Sequence, residues 1–297
     1  MNNINGILLV IASMAAFTLE DMFIKQLSVD VSTGQIMMVL GGFCSLAFVG
    51  MAVVSRKPIF VAEAWRPVPL IRALMEALSA LTFITALSLV EISTVAAVFQ
   101  ATPLVITMGA ALFLGEQVGW RRWSAICIGF LGVLLIIRPG LDGFQPEALF
   151  VVLTVVTVAA RDLITRLIDP KVSSAVVSSQ AYFSLLVAGA ILIALSPETV
   201  VPLAAGQVWI YGGAVLFGIA GYYGIVTAMR VGDASAVTPF RYTRLLFSIL
   251  VGMLVFGEQP DSLTMLGATL IIGSGLYTFM RERRMARDMK RAAAAAC

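Results

Sequence analysis

The chain has no histidine. That removes imidazole as a metal ligand, a general base or a proton relay. Three cysteines, Cys44, Cys127 and Cys297, are too few and too scattered for a disulfide framework. Charge is scarce too: Asp, Glu, Lys and Arg make up 12% of the 297 residues, against about 25% in ordinary soluble domains. No Gly-rich phosphate loop is present, which excludes direct drive by ATP. No serine, threonine or aspartate stands in a recognisable nucleophile setting.

Apolar residues are abundant instead, at 60% of the chain with a mean hydropathy of +0.97. A water-soluble core cannot hide so much apolar surface, so the sequence reads as an all-α integral membrane protein. A spanning helix needs roughly 20 mostly apolar residues. Ten such runs lie near 5–25, 33–55, 68–88, 92–114, 121–138, 148–168, 174–195, 208–229, 234–256 and 262–280. Proline, glycine and charge punctuate the breaks, as in "RPGLDGFQPE" and "SPETVVP". The opening "MNNINGILLVIASMAAFTLED" lacks the basic region of a signal peptide and is expected to persist as the first helix.

Lysine and arginine set the expected orientation. With the N-terminus inside, sixteen bases fall on one side, ten between Arg56 and Arg230 and six in the tail from Arg281 to Arg291. Only Lys25 and Arg138 fall on the other. Both termini are therefore expected in the cytoplasm, and the basic tail 282–297, with "RERRMARDMKR" running from Arg281 to Arg291, reads as a stop-transfer and lipid-headgroup anchor. Arg241 and Arg244 are left over, inside the ninth span.

The two halves, 1–140 and 146–281, resemble each other. With a shift of 142, Thr85, Ala86 and Ser93 fall on Thr227, Ala228 and Ser235, and Gly115-Glu116-Gln117 falls on Gly257-Glu258-Gln259. With a shift of 141, "EDMFIK" from Glu20 falls on "RDLITR" from Arg161. Each half holds five spans. An odd number inverts the second half relative to the first, a common plan among secondary transporters.

Ionisable groups within spans are costly, and they usually face a cavity or pair with one another. Asp21 with Lys25, and Asp162 with Arg166, are acid-before-base pairs four residues apart at equivalent places in the first and sixth spans. They read either as structural closures of the helix ends or as gates, one near each face. Glu20 aligns with Arg161, so there the halves differ in sign. Arg72 and Glu76 are four apart in the third span, with Glu76 the deeper: an intrahelical pair, or a cavity carboxylate. Arg241 and Arg244 fall, at a shift of 142, on uncharged Phe99 and Thr102. With the two duplicated pairs set aside, Arg72, Arg161, Arg241 and Arg244 exceed Glu20 and Glu76 by two charges. Such an excess suits a carboxylate, a phosphate or a carbonyl edge and disfavours a cationic cargo. Pairing of the two arginines with Glu76 or Asp162 is the rival reading.

"FLGEQ" closing the fourth span, "VFGEQP" closing the ninth, "AAVFQATPL", "SAVTPFRYT" and "GATLIIGSGLY" together resemble the drug/metabolite transporter superfamily, EamA-type branch, over essentially the whole chain. The resemblance implies a multi-pass transporter of a bacterial cytoplasmic membrane, working by alternating access around a cavity lined by the first, third, fourth, sixth, eighth and ninth spans. Phe99, Gln100, Tyr222, Tyr223 and Tyr242 lie at cavity depth in that family. Arg241, Arg244, Glu76 and Arg161 join them as candidate substrate contacts. Glu20, Asp21, Lys25, Asp162 and Arg166 are candidates for gating or coupling. The whole-chain pattern, including "AARDLITR", is similar to the riboflavin-uptake group first and the S-adenosylmethionine-uptake group second. An amino acid or other anionic metabolite is the alternative cargo, and a membrane-embedded enzyme the alternative of another class. Expected partners are a small-molecule substrate and the bilayer, in a monomer or homodimer, without nucleic acid, cofactor or metal. Glu76, Glu20 and Asp162 are candidate proton carriers, with uncoupled transport equally open.

Gly218, Gly221 and Gly224 in the eighth span suggest close helix packing. Glu116 and Glu258 read as structural, capping the helix that follows each.

Overall fold

The computed structural model describes residues 3–56, 58–59, 61–116, 118–141, 144–169, 171–195, 200–202, 204–231 and 237–295. Among them every regular element is a helix. In chain order these are α1 (Asn3–Leu27), α2 (Thr33–Val54), α3 (Pro67–Leu89), α4 (Ile92–Phe99), α5 (Thr102–Phe113), α6 (Trp120–Ile137), α7 (Leu149–Thr165), α8 (Ser174–Leu195), α9 (Ala205–Val231), α10 (Thr243–Val255) and α11 (Ser262–Ala295). Short 3-10 turns occupy Ala62–Trp65, Pro146–Ala148 and Thr238–Tyr242.

Nine spans among the described residues are long and apolar enough to cross a membrane, with α4 and α5 together forming one. The tenth expected span differs. Its first residues fall in 232–236, outside the described residues, as do Ser235, Gln117 and Lys57. It continues as the Thr238–Tyr242 turn and the 13 residues of α10. Helix α11 runs on beyond its apolar part to Ala295, so the basic tail extends the last span as helix.

Proline and threonine break the fourth span. Pro103 offers no amide proton, and its ring disfavours the helical bond to the residue four back. Thr102 Oγ1 donates to Phe99 O at 2.6 Å and fixes the bend. The same bond recurs ahead of α10, where Thr243 Oγ1 donates to Phe240 O at 2.6 Å. At both Gly-Glu-Gln sequences the glycine takes a left-handed conformation, φ 67° at Gly115 and 65° at Gly257. Only glycine adopts it without strain. The turn lets Glu116 N donate back to Ala110 O (3.2 Å) and Glu258 N to Gly252 O (2.9 Å). The duplicated motif is thus a helix end made twice. Ser32 caps α2 by accepting from Gln35 N at 3.4 Å, and Asp261 caps α11 by accepting from Thr264 N at 2.9 Å.

Helix α1 lies against α9, α2 against α8, α3 against α7, and α6 against α11; α10 contacts α4 and α1, while α4 and α5 contact α7. Glycines permit the closest approaches. A Cβ on Gly189 would meet Gly34 O at 2.5 Å, and one on Gly267 would meet Gly132 O at 2.5 Å. The expected glycine row of α9 is the seat of α1: Gly218, Gly221 and Gly224 face Glu20, Phe17 and Ser13.

Candidate functional site

Successive residues on a helix point about 100° apart, so α1 sends Glu20 and Asp21 to different neighbours, while Lys25 lies on the Asp21 face about one turn further along. Asp21 is buried and accepts two bonds from Arg244 Nη2, at 2.9 Å (Oδ1) and 2.7 Å (Oδ2). The guanidinium lies 5.4, 5.6 and 5.1 Å from the ring centres of Phe17, Phe83 and Phe99. A cation enclosed by rings and one carboxylate is satisfied inside the protein. Thr18 Oγ1 approaches Arg244 O at 3.5 Å and holds α10 against α1.

A second cluster joins α3 and α7. Glu76 receives Arg72 at 3.0 Å and Arg161 at 2.7 Å, and Arg161 also holds Asp162 at 2.8 Å. Arg72 adds bonds to Thr165 Oγ1 (3.3 Å) and Val177 O (3.4 Å), tying α3 to α7 and α8.

The expected acid–base pairs within one helix are not the ones formed. Asp21 belongs to Arg244 and Asp162 to Arg161. Lys25 turns instead to groups distant in sequence: it donates to Leu87 O at 3.1 Å and to Val90 O, and lies 3.8 Å from Glu258 Oε1. Arg166 bonds Glu116 at 2.9 Å. Each base gains more from a distant carboxylate or carbonyl than from the acid one turn away, which is already held by an arginine. Glu258 is structural as expected, but it caps α4, not the helix that follows it. Its carboxylate takes Ile92 N (2.7 Å), Ser93 N (3.0 Å) and Ser93 Oγ (2.7 Å). An open depression of about 590 Å³ lies over this junction, lined by Lys25, Glu91, Phe256 and Glu258 among others.

These pairings also correct the charge excess. Counting Asp21 and Asp162, four guanidinium groups (Arg72, Arg161, Arg241, Arg244) stand against four carboxylates (Glu20, Asp21, Glu76, Asp162). Among the described residues, neither Glu20 nor the Arg241 side chain has an ion pair or hydrogen bond. Arg241 is exposed, with Asp162 and Arg161 as its charged neighbours.

The aromatic candidates separate. Tyr222 packs edge-on to Phe48 (4.9 Å) and its hydroxyl meets Ser178 Oγ. Tyr223 is 56% exposed and shares a stripe of α9 with exposed Trp209 and Leu216, away from the charged groups. The Tyr242 hydroxyl sits over Gly275 of α11. Gln100 is buried and makes long bonds from Nε2 to Arg241 O (3.5 Å) and Tyr242 O (3.4 Å), bridging α4 to the turn before α10. Phe99 packs on Phe83 (5.4 Å) beside Arg244. Sequence reasoning missed Tyr182, which stacks on Phe48 at 5.4 Å and has Glu20, Cys44, Glu76 and Tyr222 as electrostatic neighbours. Its one signal was Ser178 four residues earlier, on the same face of the span and within the polar run Ser178-Ser179-Gln180.

The EamA-like transporter family matches the chain twice, over residues 4–138 and 145–280. An S-adenosylmethionine uptake transporter of Rickettsia prowazekii is 26% identical, over 95% of this chain and 94% of that protein. A riboflavin transporter of Rhizobium johnstonii is 32% identical, over 75% of this chain and 72% of its own. The pseudopaline exporter CntI of Pseudomonas aeruginosa is 22% identical, over 90% of this chain and 93% of its own. One solved structure, 18% identical, superposes over 92% of this chain and 98% of its own with a TM-score of 0.58, which shows a common fold. Two matches that together cover nearly all of the sequence show that the chain belongs to the EamA-like transporter family.

Proposed function

We propose that the chain is a secondary transporter that takes up a small organic metabolite by alternating access, and that it is built as two inverted five-helix halves with both termini in the cytoplasm. The helix packing supports the inversion. Exchanging the halves turns the α1–α9 contact into α7–α3, and α1–α10 into α7 with α4 and α5, and all of these contacts occur. The α2–α8 and α6–α11 contacts map onto themselves. The two Thr-to-Phe bonds, 141 residues apart, make Gln100 and Pro103 the counterparts of Arg241 and Arg244.

One observation carries the mechanism. Lys25 and Arg166 are equivalent in the two halves, and so are Glu258 and Glu116. Each base pairs with the acid of the other half, yet the two ends differ. Lys25 and Glu258 are 17% and 5% exposed, with Glu258 clamped on the α4 amides. Arg166 and Glu116 are 51% and 48% exposed. A latch shut at the Lys25 end and loose at the Arg166 end is one half of an alternating cycle. The loop charges support a cytoplasmic position for the loose end.

Riboflavin, the cargo expected from sequence, keeps support from the relatives so named and from the half-buried Tyr182 and Tyr222 rings, on which a flat heterocycle can stack. A second cargo, S-adenosylmethionine, gains support because the internal charges balance and the objection to a cation falls away. Proteoliposomes loaded with each unlabelled compound test the reading. Saturable uptake and counterflow of the unchanged labelled compound are expected for one of them. Chemical conversion of the compound would point to an enzyme, and non-saturable flux to a channel.

A further inference from the structure

Glu20 is a carboxylate in the middle of a membrane helix with no ion pair or hydrogen bond among the described residues. A charge so placed is expensive unless something meets it. Every other internal carboxylate is met: Asp21 by Arg244, Glu76 by Arg72 and Arg161, Asp162 by Arg161. The arginines nearest Glu20 are therefore spent. Its carboxylate is also not sealed in protein. Tyr211 Oη is the one fully enclosed side-chain polar atom without a partner among the described residues, so the Glu20 oxygens border open space.

That space has defined walls. Gly218 of α9 leaves room for the carboxylate, since a Cβ there would lie 2.6 Å from Glu20 Oε1. Tyr182 of α8 lies within electrostatic reach of Glu20 and Glu76. Tyr182 stacks on Phe48 of α2 at 5.4 Å and 22°, and Tyr222 of α9 stands edge-on to the same ring at 4.9 Å and 72°. The Tyr222 hydroxyl is taken by Ser178, so the tyrosine contributes its ring here. An unmet carboxylate seated on Gly218, one helical turn before Tyr222, brings together the chemistry that recognises an organic cation: charge from one side and π-faces from the other.

We propose that Glu20, seated on Gly218, and the Tyr182 and Tyr222 rings form a subsite for a positively charged organic group, a sulfonium or ammonium, on the transported metabolite. This rests on the reading of the chain as a carrier and narrows its cargo to cations and zwitterions. The repeat supports the asymmetry: Glu20 falls on Arg161, which is already paired, so the subsite exists in one half only.

The probe pair is S-adenosylmethionine and S-adenosylhomocysteine, which differ by one methyl group and the positive charge it creates on sulfur. Equilibrium binding to the purified full-length protein in nanodiscs reads the preference. The wild type should favour the sulfonium by about tenfold or more, the equivalent of one desolvated cation–π and charge contact. Glu20→Gln should bring the two affinities together while retaining a monodisperse profile. Gly218→Ala keeps the charge but pushes the carboxylate aside, and should reduce the preference as well. A wild type that binds neither compound, or both equally, overturns the subsite. So does a Glu20→Gln protein that keeps the preference. Riboflavin counterflow in proteoliposomes alongside such a result would leave the carrier reading standing.

Discussion

Arg244 and Asp21 are joined across 223 residues of sequence by two bonds, of 2.9 and 2.7 Å, within a ring of phenylalanines. The pair fastens α10 to α1 and neutralises both charges inside the membrane. Removing one partner strands the other, a loss of about 3–5 kcal/mol for a buried pair. Arg244→Ala should therefore lower the thermal midpoint of the protein in detergent strongly, and Asp21→Asn combined with Arg244→Gln should recover part of it. Equal midpoints for wild type and Arg244→Ala would show that the pair holds nothing.

Arg241, three residues earlier, is exposed and without a partner among the described residues. Arg241→Ala should lower stability far less than Arg244→Ala does, because no ion pair or hydrogen bond is lost with it. Uptake in proteoliposomes should fall severalfold, because the group facing Asp162 and open space is lost. Loss of stability with unchanged uptake would reverse the assignment of the two arginines.

Asp261 lies in the loop before α11, outside the spans. Its bond to Arg138 first, and then the Thr264 amide, hold its carboxyl down at about 2, below the ordinary 3.8. A lowered folded value means stability that is present above pH 3.8 and lost as pH falls toward 2. Asp261→Ala should cost about 1 kcal/mol at neutral pH, the usual worth of an N-cap, and the acid limb of the melting profile should flatten. Asp261→Asn keeps a capping oxygen but loses the charge that meets Arg138, so it should lose the pH-dependent part of that stability and flatten the acid limb.

The spans, the duplication and the intramembrane charges were legible because each has a local signature: an apolar run, a repeated Gly-Glu-Gln, an acid or base where none is cheap. The partners were not. Asp21 and Lys25 have the spacing of a helical pair, but which acid meets which base is decided by the distant helices that pack beside them. Lys25 reaches Glu258, and Arg166 reaches Glu116, only because the two halves cross. Exclusion of Asp21 and Asp162 from the charge tally produced an excess that the fold cancels. Tyr182 carries no signal of its own; Gly41 leaves room for its carbonyl, and the close α2–α8 contact places the ring against Phe48. The direction in which Tyr223 points follows from the face α9 turns to α1.

The crossed latches predict opposite responses to two equivalent substitutions. Glu258→Gln weakens the shut end and should favour opening there; Glu116→Gln weakens the loose end's partner and should favour the state already seen. Each should slow counterflow, since a cycle needs both latches.

The most direct measurement is the rate at which a membrane-impermeant maleimide labels single cysteines at the two ends, in protein freed of Cys44, Cys127 and Cys297. Leu87→Cys reports on the shut end, where Leu87 is fully buried, and Thr165→Cys, at an exposed position, on the loose one. Saturating cargo, or Glu258→Gln, should raise labelling at position 87 and lower it at position 165 together. Labelling that rises at both positions, or at neither while cargo is transported, would contradict alternating access through these latches.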